Sequence, residues 1–147
     1  MMKRAIKASI DILVSPESVW QVLMDFPSYP QWSKFLLDIE GQAVPGSYLR
    51  VIRMAADGKP HMFKPVVLQV TPPRAFRWLN QFGIPGLLDA EHGFTLEYQF
   101  GGHTRVRQTG EFGGLLTPFL WRRFEVPVTR GFAAFNRALK KRAESRI

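Results

Sequence analysis

Alternation and helical spacing divide the chain into one strand, two short helices, a run of strands and one long helix. In IKASIDILV, residues 6–14, Ile6, Ala8, Ile10, Ile12 and Val14 share one face while Lys7, Ser9 and Asp11 share the other, the two-residue period of a half-buried strand. SPESVWQVLMD follows with helix-start chemistry: Ser15 to cap free amides, Pro16 at the first helical position and Glu17 against the positive helix end. Val19, Val22, Leu23 and Phe26 form its apolar stripe. FPSYPQW carries two prolines that end this helix, and a second short helical turn is expected around residues 31–35.

Residues 36–113 alternate in strand fashion between turn signals at Pro45-Gly46, Asp57-Gly58, Pro72-Pro73, Pro85-Gly86 and Gly101-Gly102. Six strands are predicted, over 36–42, 47–55, 61–71, 75–82, 90–100 and 103–112. Their short links require antiparallel pairing, since parallel neighbours need crossovers of about a dozen residues or more. Thr117 and Pro118 then mark the start of a helix running to about residue 143, with Leu120, Phe124, Val128, Phe132, Phe135 and Leu139 on one stripe. Pro127 lies inside it and predicts a kink, with Gly131 one turn later. The order predicts an α+β fold, a seven-stranded antiparallel sheet with the helices against one face, as a single domain over 1–147.

The segment LLDAEHGFTLEYQF, residues 87–100, sets a histidine in apolar company. His92, Phe94, Leu96, Tyr98 and Phe100 fall on one side of the strand, and Glu91, Gly93, Thr95, Glu97 and Gln99 on the other. On neighbouring strands Phe76 and Trp78 share a face, as do Val106, Gln108 and Phe112.

Composition narrows the classes. The chain has 147 residues, 46% of them hydrophobic, and no cysteine, so it has length for one core and no disulfide. The basic start MMKRAIKASIDILV is interrupted by Lys7 and Asp11 and reads as mature sequence, and no run approaches the roughly 18 apolar residues of a membrane span. A soluble, cytoplasmic protein is the expectation. No G-x-S-x-G, P-loop or G-x-G-x-x-G occurs, and His61, His92 and His103 fall on three different predicted strands without ligand spacing, so neither a metal nor another cofactor is implied.

Trp20, the Tyr29-Pro30-Gln31-Trp32 turn, Glu91-His92-Gly93-Phe94 and Gly110-Glu111-Phe112-Gly113-Gly114, in this order of elements, resemble the START-like SRPBCC superfamily. The closer likeness is to its polyketide cyclase/dehydrase-type branch, related to the birch-pollen allergen. The resemblance implies a helix-grip fold, in which a curved sheet wraps the C-terminal helix around a hydrophobic cavity. On that frame Trp78, His92, Phe94, Leu96, Tyr98, Val106 and Gln108 from the sheet, and Phe119, Phe124 and Phe135 from the helix, are the expected ligand-binding residues. Aromatic stripes also simply fill cores.

Three functions follow from that expectation: a carrier of a hydrophobic or amphipathic small molecule (a lipid, isoprenoid or polyketide), a cyclase or aromatase using the same cavity, or a docking module. His92 reads either as a core histidine satisfied by one hydrogen bond or as a general base, for which Glu91 and Glu97 point the wrong way. The loop NQFGIPGLLD could gate the cavity or serve as a rigid turn. The net charge of +8 concentrates on the last helix, where Arg122, Arg123, Arg130, Arg137, Lys140 and Lys141 form a band beside or opposite the apolar stripe. A solvated face explains such a band, and weak contact with an anionic membrane surface is the alternative; no nucleic-acid partner is expected. Oligomeric state leaves no mark in the sequence.

Overall fold

The computed structural model describes residues 3–145. Strand β1 (Arg4–Ile12) leads into α1 (Pro16–Met24), a 3-10 turn (Phe26–Ser28) and the short α2 (Tyr29–Trp32). Then follow β2 (Leu36–Glu40), β3 (Arg50–Met54), β4 (Pro60–Phe63), β5 (Val66–Thr71), β6 (Ala75–Phe82), β7 (Leu88–Gln99), β8 (His103–Gly113) and the 29-residue α3 (Thr117–Ser145). Ser15 caps α1 through a hydrogen bond from the Ser18 amide, with Pro16 in the first turn.

The described strands number eight rather than seven, in two antiparallel sheets ordered β1-β8-β7-β6-β5 and β2-β3-β4. The predicted strand 61–71 is two strands, because Lys64 and Pro65 interrupt it and proline has no amide to offer a ladder. The sheets stay joined at this break: Tyr48 bridges Val66, and Leu49 donates its amide to the Pro65 carbonyl at 2.9 Å. Register shifts at Leu36/Asp38 and Val67/Gln69 add local bend and twist to this curved surface.

Helix α3 packs against β1, β8 and α1. Trp121, Val128, Phe132, Phe135, Leu139 and Ala143 are its buried apolar residues, and they meet Ile6, Ile12, Phe94, Leu96 and Val106 in one core. Pro127 lies inside the helix, as the sequence predicts. No described helix is long and apolar enough to cross a membrane.

A strap fastens the smaller sheet to the helix. Phe35, immediately before β2, has φ +70°, a left-handed conformation that bulky residues rarely adopt, and its ring meets Phe132 edge-on at 5.8 Å. Its seat is Gly131: a Cβ there would fall within the Phe35 ring. On an open helix face Gly→Ala stabilises by up to about 1 kcal/mol. Here the clash decides the sign, and Gly131→Ala should destabilise by about 1–3 kcal/mol in urea unfolding.

Candidate functional site

The site lies where the middle of α3 faces β6, β7 and β8, with β3 and β4 closing one side. An inner cavity of about 20 Å³ is bounded by Trp78, Asn80, His92, Phe112 and Phe132, and by Arg53 and Phe63 from the smaller sheet. That volume holds about one water. A second pocket of about 150 Å³ is lined by Leu88 and Phe124 and shares Arg53, Phe82, Phe112 and Val128 with the first. It serves as the mouth of the inner one, and its volume matches a benzene-sized group. A basic groove of about 570 Å³ between α2 and the end of α3, lined in part by Lys34, Arg137 and Lys141, is open to solvent and is not part of this enclosure.

The residues expected to form the wall take up different positions. Trp78 and His92 line the inner cavity and Phe124 the outer pocket. Phe94, Leu96, Val106, Gln108 and Phe135 face inward but line neither pocket: they are packed solid, as in the Phe94–Phe135 ring contact at 5.4 Å. Tyr98 is 67% exposed although strand parity puts it on the inner face. It pairs with Thr104 next to the β7–β8 turn, beyond the part of the sheet that the core covers. Phe119 is 81% exposed, because Trp121 and not Phe119 turns inward at the start of α3. Arg53, Phe63, Asn80, Phe82 and Phe132 belong to the enclosure without having been expected there. Phe132 was legible as part of the helix stripe; Arg53 and Asn80 carried no signal, since a polar residue in a strand ordinarily faces water.

His92 is held by a polar chain that crosses the core. Its Nε2 lies 2.9 Å from Gln108 Oε1, and Gln108 Nε2 donates to the Phe132 carbonyl at 3.1 Å and to Asn136 Oδ1 at 2.8 Å. The helix carbonyl can only accept, so it orients the Gln108 amide, and the amide oxygen in turn requires the proton of neutral His92 to sit on Nε2. Nδ1 is then the acceptor nitrogen. Phe94 and Phe132 stack against the imidazole at 4.9 and 4.8 Å. Burial, opposed by the Gln108 hydrogen bond and aided by the Arg53 charge, pushes the His92 pKa down to about 4.

Arg53 supplies a cation that pairs with no carboxylate among the described residues. Its guanidinium carbon lies 5.8 Å from the Phe35 ring centre and 5.2 Å from that of Phe63, and Nε is buried with no hydrogen-bond partner among the described residues. Burial draws its pKa below the ordinary arginine value. Asn80 Nδ2 is likewise buried and unpartnered. The nearby Glu91 is engaged by Arg77 at 2.7 Å. The enclosure thus offers two unused donors and one acceptor within aromatic walls, an arrangement suited to an apolar ligand that carries oxygen. No group of three metal-ligating side chains occurs among the described residues.

Residues 3–144 match the family described as polyketide cyclase / dehydrase and lipid transport. The chain belongs to this family. Among solved structures it is similar to the Zhui aromatase/cyclase from Streptomyces sp. R1128, with TM-score 0.80 at 16% identity over 99% of this chain and 96% of that one. A START superfamily protein from Mycobacterium smegmatis aligns with TM-score 0.73 at 18% identity, covering 97% of this chain and 99% of that one. Ara h 8.0201 aligns with TM-score 0.72 at 14% identity, covering 98% and 99%. No curated protein matches. The polyketide cyclase and lipid transport family and its START-like neighbours agree with the helix-grip fold that the sequence resembles; at these identities the neighbours speak to fold alone.

The buried imidazole has a measurable consequence. The unfolded chain protonates His92 near its ordinary pKa of 6.5 while the folded chain resists until about 4. The unfolded state therefore binds the extra proton in between, and stability falls as pH drops through that window by about 1.4 kcal/mol per unit. Urea unfolding across this range should show that slope, and His92→Gln should remove this residue's share of it.

Proposed function

We propose that the protein binds and carries a hydrophobic small molecule bearing a carbonyl or anionic oxygen, held between the sheet and the middle of α3. The observation that carries this reading is the pair of buried donors without partners among the described residues, Arg53 Nε and Asn80 Nδ2, on a largely aromatic enclosure. A buried donor without a partner costs about 1–3 kcal/mol, and a ligand oxygen would recover it. Membership of a family described by polyketide cyclisation and lipid transport supports a hydrophobic ligand.

The pocket holds about one ring at its mouth, so a polyketide or lipid would need the enclosure to widen. The side able to yield is β3–β4, which contributes Arg53 and Phe63 and contacts α3 through the Phe35 strap. Ligand burial at about 25 cal/mol per Å² would drive that widening.

A cyclase reading has one observation in its favour: His92 presents a fixed, neutral acceptor nitrogen near a cation. A general base works best with a pKa near the working pH, and a value of about 4 makes His92 a weak proton acceptor at neutrality. Carriage is therefore the stronger reading, with His92 orienting a ligand hydroxyl through Nδ1.

Two dyes with the same aromatic frame test it. 1-Anilinonaphthalene-8-sulfonate carries an anion and N-phenyl-1-naphthylamine does not. Arg53→Gln should weaken the sulfonate dye about tenfold, the scale of a charge-assisted hydrogen bond, and leave the neutral dye within about twofold. Val128→Trp, which fills the shared wall, should weaken both. Unchanged fluorescence titrations with Val128→Trp would place the dyes elsewhere and defeat the pocket reading.

A further inference from the structure

We propose that the loop before β7 and the first turns of α3 form a face that docks on an anionic lipid bilayer beside the pocket mouth. Two segments are stitched together there. The Leu115 and Leu116 amides donate to the Gly86 and Leu87 carbonyls at 3.0 and 2.9 Å. Gly114, at φ +107°, lets the backbones meet, since a Cβ would lie 2.5 Å from the Leu87 oxygen. This junction presents Ile84 at 69%, Leu115 at 70% and Phe119 at 81% exposure. Phe82 and Leu88, on either side of the loop, line the outer pocket, as does Phe124.

The outward side of α3 continues the face. At about 100° per residue, Phe119, Arg122, Arg123, Val126 and Arg130 fall within about 60° of one line, opposite Trp121, Phe124, Val128 and Phe132. All five are exposed, and none of the three arginines forms an ion pair among the described residues. Glu125, the acidic residue within this stretch, lies about 120° away. Single exposed apolar side chains are ordinary on a solvated surface; what marks this face is that Ile84, Leu115 and Phe119 fall together around one backbone junction, with Val126 further along the same side of the helix. Apolar tips interleaved with unpaired arginines match the boundary between lipid tails and anionic headgroups. RNA would use the arginines and leave the apolar side chains in water.

The proposal goes beyond the pocket reading by naming where a lipophilic ligand would be collected, and vesicle flotation reads it separately from dye binding. The protein should float with vesicles of equimolar phosphatidylcholine and phosphatidylglycerol and should not float with phosphatidylcholine alone. Arg122→Gln with Arg123→Gln should weaken binding about fivefold per arginine, roughly 25-fold for the pair. Leu115→Ser with Phe119→Ser should release the protein from the vesicles.

Two controls fix the location. Phe100→Ser should float like the parent, since that fully exposed ring sits just past the far end of β7, about 40 Å of extended chain away from Leu88. Arg137→Gln with Lys141→Gln makes the same charge change further along the helix and should weaken binding far less than the Arg122/Arg123 pair. Absence of flotation, flotation that survives the Leu115/Phe119 changes, or equal loss in both charge pairs would overturn the assignment. Binding to single-stranded RNA without binding to vesicles would overturn it in favour of a nucleic-acid face.

Discussion

The aromatic stripe of α3 has one surface wide enough to cover it, the concave side of the β1-β8-β7-β6-β5 sheet. Fully burying each such side chain contributes about 1.5–3 kcal/mol, so Val128, Phe132, Phe135 and Leu139 commit the helix to that surface. Neither partner can be altered alone. Pro127 lies within the helix without interrupting the stripe, since Val128, Phe132, Phe135 and Leu139 all stay buried. The enclosure arises where this fit is least complete, between Val128 on one side and Trp78 and Asn80 on the other.

Polar groups placed inside such a core are costly when unsatisfied, and those around the enclosure differ in this respect. His92, Gln108 and the Phe132 carbonyl satisfy one another in a line from sheet to helix. Arg53 Nε and Asn80 Nδ2 remain unsatisfied close by. The first set fixes geometry and protonation; the second leaves binding energy unused. That contrast separates groups that already hold one another from donors with no partner among the described residues, even though all four side chains sit within one aromatic setting.

Periodicity revealed what periodicity governs. The faces of β7 and β8, the capped start of α1 and the apolar stripe of the long helix were legible, because each depends on local spacing; Thr117 marked where α3 begins but does not cap it, since it is the first helical residue and its hydroxyl has no partner among the described residues. Tyr98 and Phe119 were misplaced because parity tells which way a side chain points and not whether anything lies in that direction. The break at Pro65 was hidden inside an apolar run, although proline had marked it. Arg53 was unreadable for another reason: its place in the enclosure comes from a second sheet folding over the first, a long-range relation with no local trace.

The Gln108 amide also acts as a surveyor's peg. Through its bonds to the Phe132 carbonyl and to Asn136 it fixes how far along its own axis, and at what rotation, α3 lies on β8. Sliding the helix by one residue would break both contacts and strand a buried amide. The helix is therefore a fixed wall of the enclosure, to which β3 and β4 add Arg53 and Phe63 from the opposite side.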